Sequence, residues 1–413
     1  MAGESQSLGR RAANAAVANL GAVPRIPPMP SGLVPGYDIA SWRKRIPLLA
    51  SCIPMNNCSQ APQTDVSRAA AERYLDSWNG SGMDWDAWMH EVALAKQEFA
   101  TLVNASADEI AVCSSVSEAA SAVASTLDFS GPNRKVLVSE AEFPTVAHVW
   151  LAQKQRGARV AWVPVKDGAM DPAAYDALLD DETTIVSACH GYYLNGFTQD
   201  LARITAAAHA RGALLFADCY QTLGTMPVDV KALGVDFLAS GNLKFLMGVP
   251  GIAFLYVRRE LIETLHPTVT GWFGRVDPFA FEAKQLDWSP TASRFDAGTP
   301  PLINAYIARA GMEIINGIGA GAIRAWHEVL ARRLMDGGRE RGLTLHGTTD
   351  IHRKSANTAF VVRDSHAVEA AMRARGVLPS ARGPVIRLAP HFYNTTDDVD
   401  TALDLLAELA PPA

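Results

Sequence analysis

Three segments of the sequence carry groups that are suited to chemistry. Residues 114–118 open a predicted helix, and the free N–H groups at the start of a helix bind phosphate. Asp218 ends an apolar segment, so its carboxylate needs a cationic partner such as a protonated ring nitrogen. Lys244 lies between Leu243 and Phe245, where loss of hydration lowers the pKa of an amine and makes it nucleophilic. The three segments together predict covalent chemistry on a phosphate-bearing ligand with a cationic ring.

Each of these segments, taken alone, has an ordinary structural explanation. Ser and Glu at a helix start form an N-cap. A strand-end Asp pairs with a neighbouring cation, and a Lys in apolar sequence extends its charged end to solvent. The order of the segments favours the chemical interpretation, because Lys244 follows Asp218 after one further strand.

Alternating strand and helix patterns must bring these segments together. The strand-like runs are almost entirely apolar, which is typical of strands covered by helices on both faces. Their alternation with helices predicts an α/β fold with a doubly wound, mostly parallel sheet, in which ligands bind at the carboxyl ends of the strands. The predicted strands are residues 109–115, 135–140, 158–165, 183–191, 213–220, 235–241 and 252–257.

The sequence divides into three predicted parts. Residues 1–45 are expected to form an N-terminal arm, and residues 46–301 form a large domain that contains the predicted sheet. Residues 302–413 are expected to form a small α+β domain, because a long helical region leads into two short strand patterns and two further helices.

The sequence resembles fold-type I enzymes that depend on pyridoxal 5′-phosphate (PLP), in the class V aminotransferase group. This group includes cysteine desulfurases, isopenicillin-epimerase-like proteins and kynureninases. The resemblance extends over roughly residues 45–410 and is most specific in residues 217–257. Shorter matches follow the same order: EFPT (142–145), GWFG (271–274), RFDAGTPP (294–301) and IRLAPHFYNTTDDVD (386–400).

The resemblance implies a role for each residue around the ring of PLP. Lys244 is implied to join the cofactor covalently and then to transfer protons. Asp218 is implied to keep the ring nitrogen protonated, so that the ring acts as an electron sink. Gln221 is implied to hydrogen-bond near the phenolic oxygen and Phe143 to stack on the ring, while Tyr193 occupies a neighbouring family position.

The resemblance also implies how the phosphate is held. Val116, through its N–H group, and Ser117 are implied to bind the phosphate, with help from Ser240 or Asn242. Thr299 is implied to reach the phosphate bound in a neighbouring subunit. A homodimer with shared active sites follows from that implied contact.

Arg387 is implied to bind the α-carboxylate of an amino-acid substrate, with a two-pronged geometry that Lys cannot reproduce. Asn57 is expected near the substrate, because relatives bring an N-terminal turn close to the site. His391 and Asn394 are expected only to brace the turn that follows Arg387.

Two departures from the desulfurase pattern restrict which reaction the protein is predicted to catalyse. Desulfurases carry a nucleophilic Cys shortly before the carboxylate-binding Arg, whereas no Cys follows Cys219 in this sequence. A persulfide mechanism therefore lacks its sulfur acceptor, and we reject a cysteine desulfurase. Leu243 also replaces the His that precedes the lysine in desulfurases, which leaves Lys244 as the main acid–base group.

The predicted function is PLP-dependent chemistry at Cα of an amino acid. Abstraction of the α-proton leads to β-elimination, transamination or epimerisation. We favour a β-eliminating C–S lyase acting on a cysteine-derived or S-conjugated substrate, because the relatives it most resembles cleave carbon–sulfur and carbon–carbon bonds. A class V aminotransferase and an amino-acid epimerase are the alternatives.

Two further classes are weaker alternatives. Residues 317–322 fit the GxGxxG/A pattern of NAD-dependent oxidoreductases, but they lie in a helical region and do not follow a strand. A non-catalytic scaffold is disfavoured because Asp218 and Lys244 are both present.

Composition restricts the class of partner. Of the 413 residues, 48% are hydrophobic and 19% charged, which excludes wholesale disorder. The net charge of −6 and the absence of a long apolar run argue against nucleic-acid and membrane partners. The five Cys form no CxxC pair and the ten His no HxH or HExxH motif, so no metal is expected. Arg10 and Arg11 resemble a twin-arginine signal only faintly, and we predict a cytoplasmic enzyme.

Overall fold

A computed structural model of the chain describes residues 36–410. Most of the predicted N-terminal arm, including Arg10 and Arg11, lies outside the described residues. None of the helices within residues 36–410 has the length and apolar character needed to cross a bilayer.

Seven strands form the central sheet, in the order β2-β8-β7-β6-β5-β3-β4. The strands from β3 to β7 run parallel to one another, and β8 runs antiparallel to both of its neighbours. This arrangement confirms the predicted mostly parallel sheet. The strands are β2 (Ile110–Cys113), β3 (Lys135–Ser139), β4 (Arg159–Val163), β5 (Thr183–Cys189), β6 (Leu214–Asp218), β7 (Phe237–Gly241) and β8 (Ala253–Val257), after a short β1 (Ile53–Pro54).

Helices cover both faces of this sheet. Successive strand residues point to opposite faces, so Phe216 belongs to one apolar cluster while Leu215 and Ala217 belong to another. The helices of this part are α1 (Ile39–Lys44), α2 (Asp65–Ser81), α3 (Trp85–Val103), α4 (Val116–Ser125), α5 (Pro144–Ala152), α6 (Pro172–Leu178), α7 (Leu201–His209), α8 (Val230–Leu233) and α9 (Arg259–Ile262).

The C-terminal part contains a four-stranded antiparallel sheet in the order β12-β13-β10-β9. Its helices are α10 (Leu302–Ile318), α11 (Ala320–Glu340), α12 (Ser365–Ala374) and α13 (Thr396–Leu409). Its strands are β9 (Leu345–His346), β10 (Thr358–Val361), β11 (Val377–Leu378), β12 (Ser380–Arg382) and β13 (Val385–Leu388).

Contacts between the two parts are extensive. β1 pairs in parallel with β11, and α10 packs against α2 and α3. The domain boundary at residue 301 therefore stays a prediction. The long helical region predicted after residue 301 is two helices that meet at Gly319, whose φ of 93° favours glycine. The GxGxxG/A pattern thus marks a junction between helices and does not follow a strand.

Candidate active site

A cavity of about 370 Å³ lies at the carboxyl ends of the parallel strands, beside the C-terminal sheet. Parallel strands end at the same edge of a sheet, so the loops after β3, β5, β6 and β7 all reach this cavity. It gathers predicted site residues that lie far apart in the sequence. Those that line it are Val116, Ser117, Phe143, Tyr193, Asp218, Gln221, Lys244 and Arg387.

Lys244 follows β7 and places its amine between two aromatic rings. Its Nζ lies 4.0 Å from the centroid of the Tyr220 ring and 5.4 Å from that of Phe143. Loss of hydration lowers the pKa of Lys244 to about 8, although the charge of Asp218 acts in the opposite direction. An amine with this pKa has a far larger neutral, nucleophilic fraction near physiological pH than an ordinary lysine has.

Asp218 is the last residue of β6 and its side chain is only 6% exposed. Its Oδ1 accepts a hydrogen bond from Tyr220 N at 2.9 Å. Within residues 36–410 no Lys, Arg or His forms an ion pair with it at 4 Å or less, and burial raises the pKa of Asp218. A buried carboxyl group without a contacting cation fits the protonated ring nitrogen of PLP.

Helix α4 begins at the edge of the cavity. Ser115 caps it by accepting a hydrogen bond from Glu118 N at 3.1 Å, and Glu118 in turn accepts one from Ser114 N at 2.6 Å. Val116 and Ser117 form its first turn, where N–H groups have no intrahelical acceptor. Both residues line the cavity, which fits an anion such as the phosphate of PLP.

Gln221 supplies a second polar group that fits a ligand. Its Nε2 donates to the carbonyl oxygen of Cys58 at 3.0 Å, and its Oε1 is buried without a hydrogen-bond partner in the described structure. Phe143 and Tyr193 meet edge to face on another wall, with ring centroids 5.2 Å apart. The cavity thus combines aromatic surface with unsatisfied polar groups, as a planar polar cofactor requires.

Arg387 lies on β13 and is buried without a carboxylate partner among residues 36–410. Its Nη1 donates to Tyr193 O at 2.8 Å, and its Nη2 donates to Ser380 Oγ at 2.5 Å and Ser59 Oγ at 3.0 Å. Its Nε is buried with no partner there. A buried guanidinium group without a carboxylate partner favours the binding of an anion in the cavity.

Four predicted residues do not line this cavity. Ser240 is buried and donates to Gly241 O at 2.9 Å, whereas both polar side-chain atoms of Asn242 are buried without a partner in the described residues. Thr299 is exposed. Its predicted contact with a second subunit stays a prediction.

Asn57 is the fourth of these residues. Its Nδ2 donates to Ala389 O at 2.8 Å, and its Oδ1 accepts from Tyr393 Oη at 2.5 Å. Both ends of the fully buried amide are therefore used to join the N-terminal segment to the turn after β13. The structure does not bring Asn57 to the cavity lining, and its expected contact with substrate stays a prediction.

Sequence reasoning overlooked several residues at the site. Tyr220 and Arg382 line the cavity, and burial together with the charge of Asp218 raises the pKa of Glu142. Tyr220 lies close in sequence to Asp218, and Arg382 lies close to Arg387. Proximity to these predicted site residues could have identified both. Glu142 lies inside the EFPT motif, but nothing in the sequence places it beside Asp218.

Two thiols also border the cavity. Burial raises the pKa of Cys189, which keeps it protonated. Cys58 packs in an apolar cluster with Phe245 and Ala389. Neither lies on the loop before Arg387, where desulfurases carry their nucleophile.

The fold and the cavity define a PLP-dependent enzyme of fold type I. The family model for aminotransferase class-V matches residues 57–401, and the chain belongs to this family.

Comparisons with individual proteins agree with that assignment. The chain is 35% identical to the uncharacterized aminotransferase YcbU of Bacillus subtilis, over 89% of this chain and 96% of the relative. It is 26% identical to a kynureninase of Burkholderia mallei, over 89% of this chain and 92% of that protein.

Solved structures share the fold at lower identity. An apo cysteine desulfurase from Thermococcus onnurineus superposes with a TM-score of 0.81 at 23% identity, covering 90% of this chain and 98% of that one. The cystine C-S lyase C-DES, in complex with its reaction product cysteine persulfide, also gives 0.81, at 19% identity, covering 89% and 100%.

Proposed function

We propose that this enzyme joins PLP covalently through Lys244 and acts at Cα of an amino acid as a β-eliminating C–S lyase. The single observation that carries the proposal is the presence of Lys244 and Asp218 in one cavity, with the pKa of the amine lowered to about 8. The proposed substrate is derived from cysteine or conjugated through its sulfur.

Three residues of the cavity have separate roles in the proposed reaction. Bound PLP supplies an electron sink for the charge that develops at Cα. Asp218 keeps the ring nitrogen protonated, and Arg387 fixes the substrate carboxylate, which orients the bond to be broken. Lys244 removes the α-proton as a general base and returns a proton to the departing sulfur.

Elimination is favoured because this cavity has one central acid–base amine and no cysteine on the loop before Arg387. A β-elimination needs no second substrate and no nucleophilic thiol. The structural neighbour named a cystine C-S lyase has the same fold, which supports this choice.

Transamination is the second candidate, favoured by the 35% identical relative that is named an aminotransferase. For that reaction Lys244 would move the α-proton, and the same pocket, with Arg387 for the carboxylate, would have to accept a keto acid as second substrate. The same set of residues serves both reactions, so product analysis must distinguish them.

The deciding experiment incubates the PLP-loaded enzyme with S-substituted cysteines, kynurenine and ordinary amino acids. Pyruvate with ammonia indicates elimination. Conversion of the cofactor to its amine form indicates transamination, and exchange of the Cα hydrogen without other products indicates epimerisation. Lys244→Ala is the matched control, and absence of all three outcomes with every substrate would contradict the proposal.

We also propose a homodimer in which Thr299 reaches the partner's phosphate site. Support comes from the exposure of Thr299 and from apolar side chains on the surface, including Trp78, Met83 and Phe281, which are 57%, 67% and 74% exposed. Sedimentation should give a mass twice that of one 44.3 kDa chain, and Phe281→Glu should lower the measured mass toward that of one chain. A wild-type protein that sediments as one chain at micromolar concentration would refute the dimer.

A cytoplasmic location is the last part of the proposal. All five cysteines are free, which suits a reducing compartment. Fractionation of cells that express the protein tests this location.

A further inference from the structure

A second arginine, Arg382, reaches the cavity from the C-terminal sheet. It is the last residue of β12 and lies opposite Val385 on β13, beside the turn at Gly383 that joins the two strands. Arg382 and Arg387 both line the cavity, but the side chain of Arg382 is exposed whereas that of Arg387 is buried. Arg382 therefore lies where the cavity opens to solvent.

The register of the two strands places both arginines on one face of the sheet. Ser380 on β12 lies opposite Arg387 on β13 and accepts a hydrogen bond from its Nη2 at 2.5 Å. Arg382 follows Ser380 by two residues, and side chains two residues apart on a strand point to the same side. Ala381 and Ile386, which alternate with these residues, pack in the apolar core on the other side. Arg382 and Arg387 thus face the cavity from one surface.

The guanidinium group of Arg382 has no partner within the described part of the chain. Among residues 36–410, no Asp or Glu forms an ion pair with it, and its side chain donates no hydrogen bond. Arg387, by contrast, donates to Tyr193 O, Ser380 Oγ and Ser59 Oγ. Since its own chain does not occupy the guanidinium group of Arg382, all of its N–H groups are available to an anionic ligand.

The charges that line the cavity are unequal in number. Three basic residues line it, namely Lys244, Arg382 and Arg387, and Asp218 is the one acidic residue among the described lining residues. The proposed reaction uses Asp218 for the ring nitrogen, Lys244 for attachment of the cofactor and Arg387 for the α-carboxylate. The phosphate is proposed to bind at the start of α4, which follows β2 of the central sheet and not the sheet that carries Arg382. Arg382 is the one cation left without an anion.

We propose that the amino-acid substrate carries a second acidic group at the end of its side chain and that Arg382 binds this group. The inference rests on the proposed function, because it takes Arg387 as the site of the α-carboxylate. It narrows the substrate to cysteine conjugates whose sulfur bears a carboxyalkyl chain. A guanidinium group matches a carboxylate with two parallel hydrogen bonds, which a neutral side chain cannot provide. Arg382 is thus a specificity-determining residue and takes no part in proton transfer.

Matched pairs of acid and amide test this second site. The ligands are S-carboxymethyl-, S-carboxyethyl- and S-carboxypropylcysteine, each compared with the conjugate whose distal carboxylate is replaced by a primary amide. Their dissociation constants from the PLP-loaded enzyme are read from the change in visible absorbance. For at least one chain length the acid should bind about tenfold more tightly than its amide. Equal constants at all three lengths would overturn the proposal.

Two variants assign the preference to one residue. Arg382→Gln removes the charge and should bring the constants for acid and amide to within about twofold of each other. Arg363→Gln makes the same change at an exposed arginine outside the cavity and should keep the wild-type ratio. A preference for the acid that persists in Arg382→Gln would overturn the proposal. Weaker binding of PLP to Arg382→Gln, with that preference retained, would assign Arg382 to the phosphate instead.

Release of pyruvate tests the proposed reaction separately. The dissociation constants report binding alone, so they decide whether Arg382 recognises the distal carboxylate even if no conjugate releases pyruvate. In that case the proposed C–S lyase would fail while the second acidic site could still be established. Pyruvate from every conjugate, together with equal constants for acids and amides, would support the lyase and refute the second site.

Discussion

The amine nitrogen of Lys244 lies 4.0 Å from the centroid of the Tyr220 ring. Tyr220 reaches this position because Gly241, the last residue of β7, has no side chain. A Cβ atom at position 241 would lie 2.2 Å from Cζ of the Tyr220 ring. The contact between Tyr220 and the amine of Lys244 thus depends on a glycine at the end of β7, the strand beside β6.

Gly241→Ala should displace the Tyr220 ring, leave the amine of Lys244 out of position and weaken the attachment of PLP by roughly tenfold, which corresponds to about 1.4 kcal/mol. Gly321→Ala is the control, since a Cβ there meets nothing within 4 Å. The apparent dissociation constant for PLP, read from visible absorbance, measures the effect. Equal constants for Gly241→Ala and wild type would show that the ring does not position the amine.

The rate at which PLP becomes attached should rise with pH and level off above about 8. Only the neutral amine attacks the aldehyde, and loss of hydration lowers the pKa of Lys244 from 10.5 to about 8. Rapid mixing of the apoenzyme with PLP gives this profile. A rate that keeps rising toward pH 10.5 would mean that the amine is hydrated like an ordinary lysine.

Arg387→Lys should raise KM for the amino acid by roughly tenfold to a hundredfold with a smaller change in kcat. Loss of a charge-assisted two-pronged contact costs about 1.5–3 kcal/mol. Arg363→Lys, on the exposed surface, is the matched control. A KM equal to that of the wild type would remove Arg387 from the substrate site.

Lys354 gives a prediction about stability. It is fully buried, its Nζ donates to Asn195 O at 3.2 Å and Asn357 O at 3.1 Å, and burial lowers its pKa to about 7. Between pH 7 and 10.5 the unfolded chain binds this proton and the folded chain does not. The free energy of unfolding should therefore rise with pH in that range, by up to about 1.4 kcal/mol per unit from this residue.

Lys354→Met should reduce that slope by this amount, as denaturant unfolding at several pH values can show. Lys166→Met, at an exposed lysine, should leave the slope unchanged. Parallel slopes for Lys354→Met and wild type would contradict a neutral Lys354 in the folded protein.

Local patterns were sufficient to predict the sheet, and the resemblance to class V aminotransferases supplied most of the cavity residues. Asp218 and Lys244 each follow an apolar strand, and parallel strands end at one edge. Glu142 could not be placed in this way. It follows β3 and accepts a hydrogen bond from Ser187 on β5, the strand beside β6, and the order of strands in a sheet is not encoded by periodicity.

Asn57 shows a second limit of the sequence. Its partners, Ala389 and Tyr393, lie near the other end of the chain, so no local pattern indicates that its amide is already used. Thr299 shows a third limit, since its expected partner belongs to a second copy of the chain.

Identification of the lysine that carries PLP tests the central claim most directly. The loaded protein is reduced with borohydride to fix the linkage, digested and analysed by mass spectrometry, with Lys244→Ala as the control. The structure predicts the modification on Lys244 and its loss in the variant. Modification of Lys354, the other lysine whose pKa burial lowers, or of no lysine at all, would contradict it.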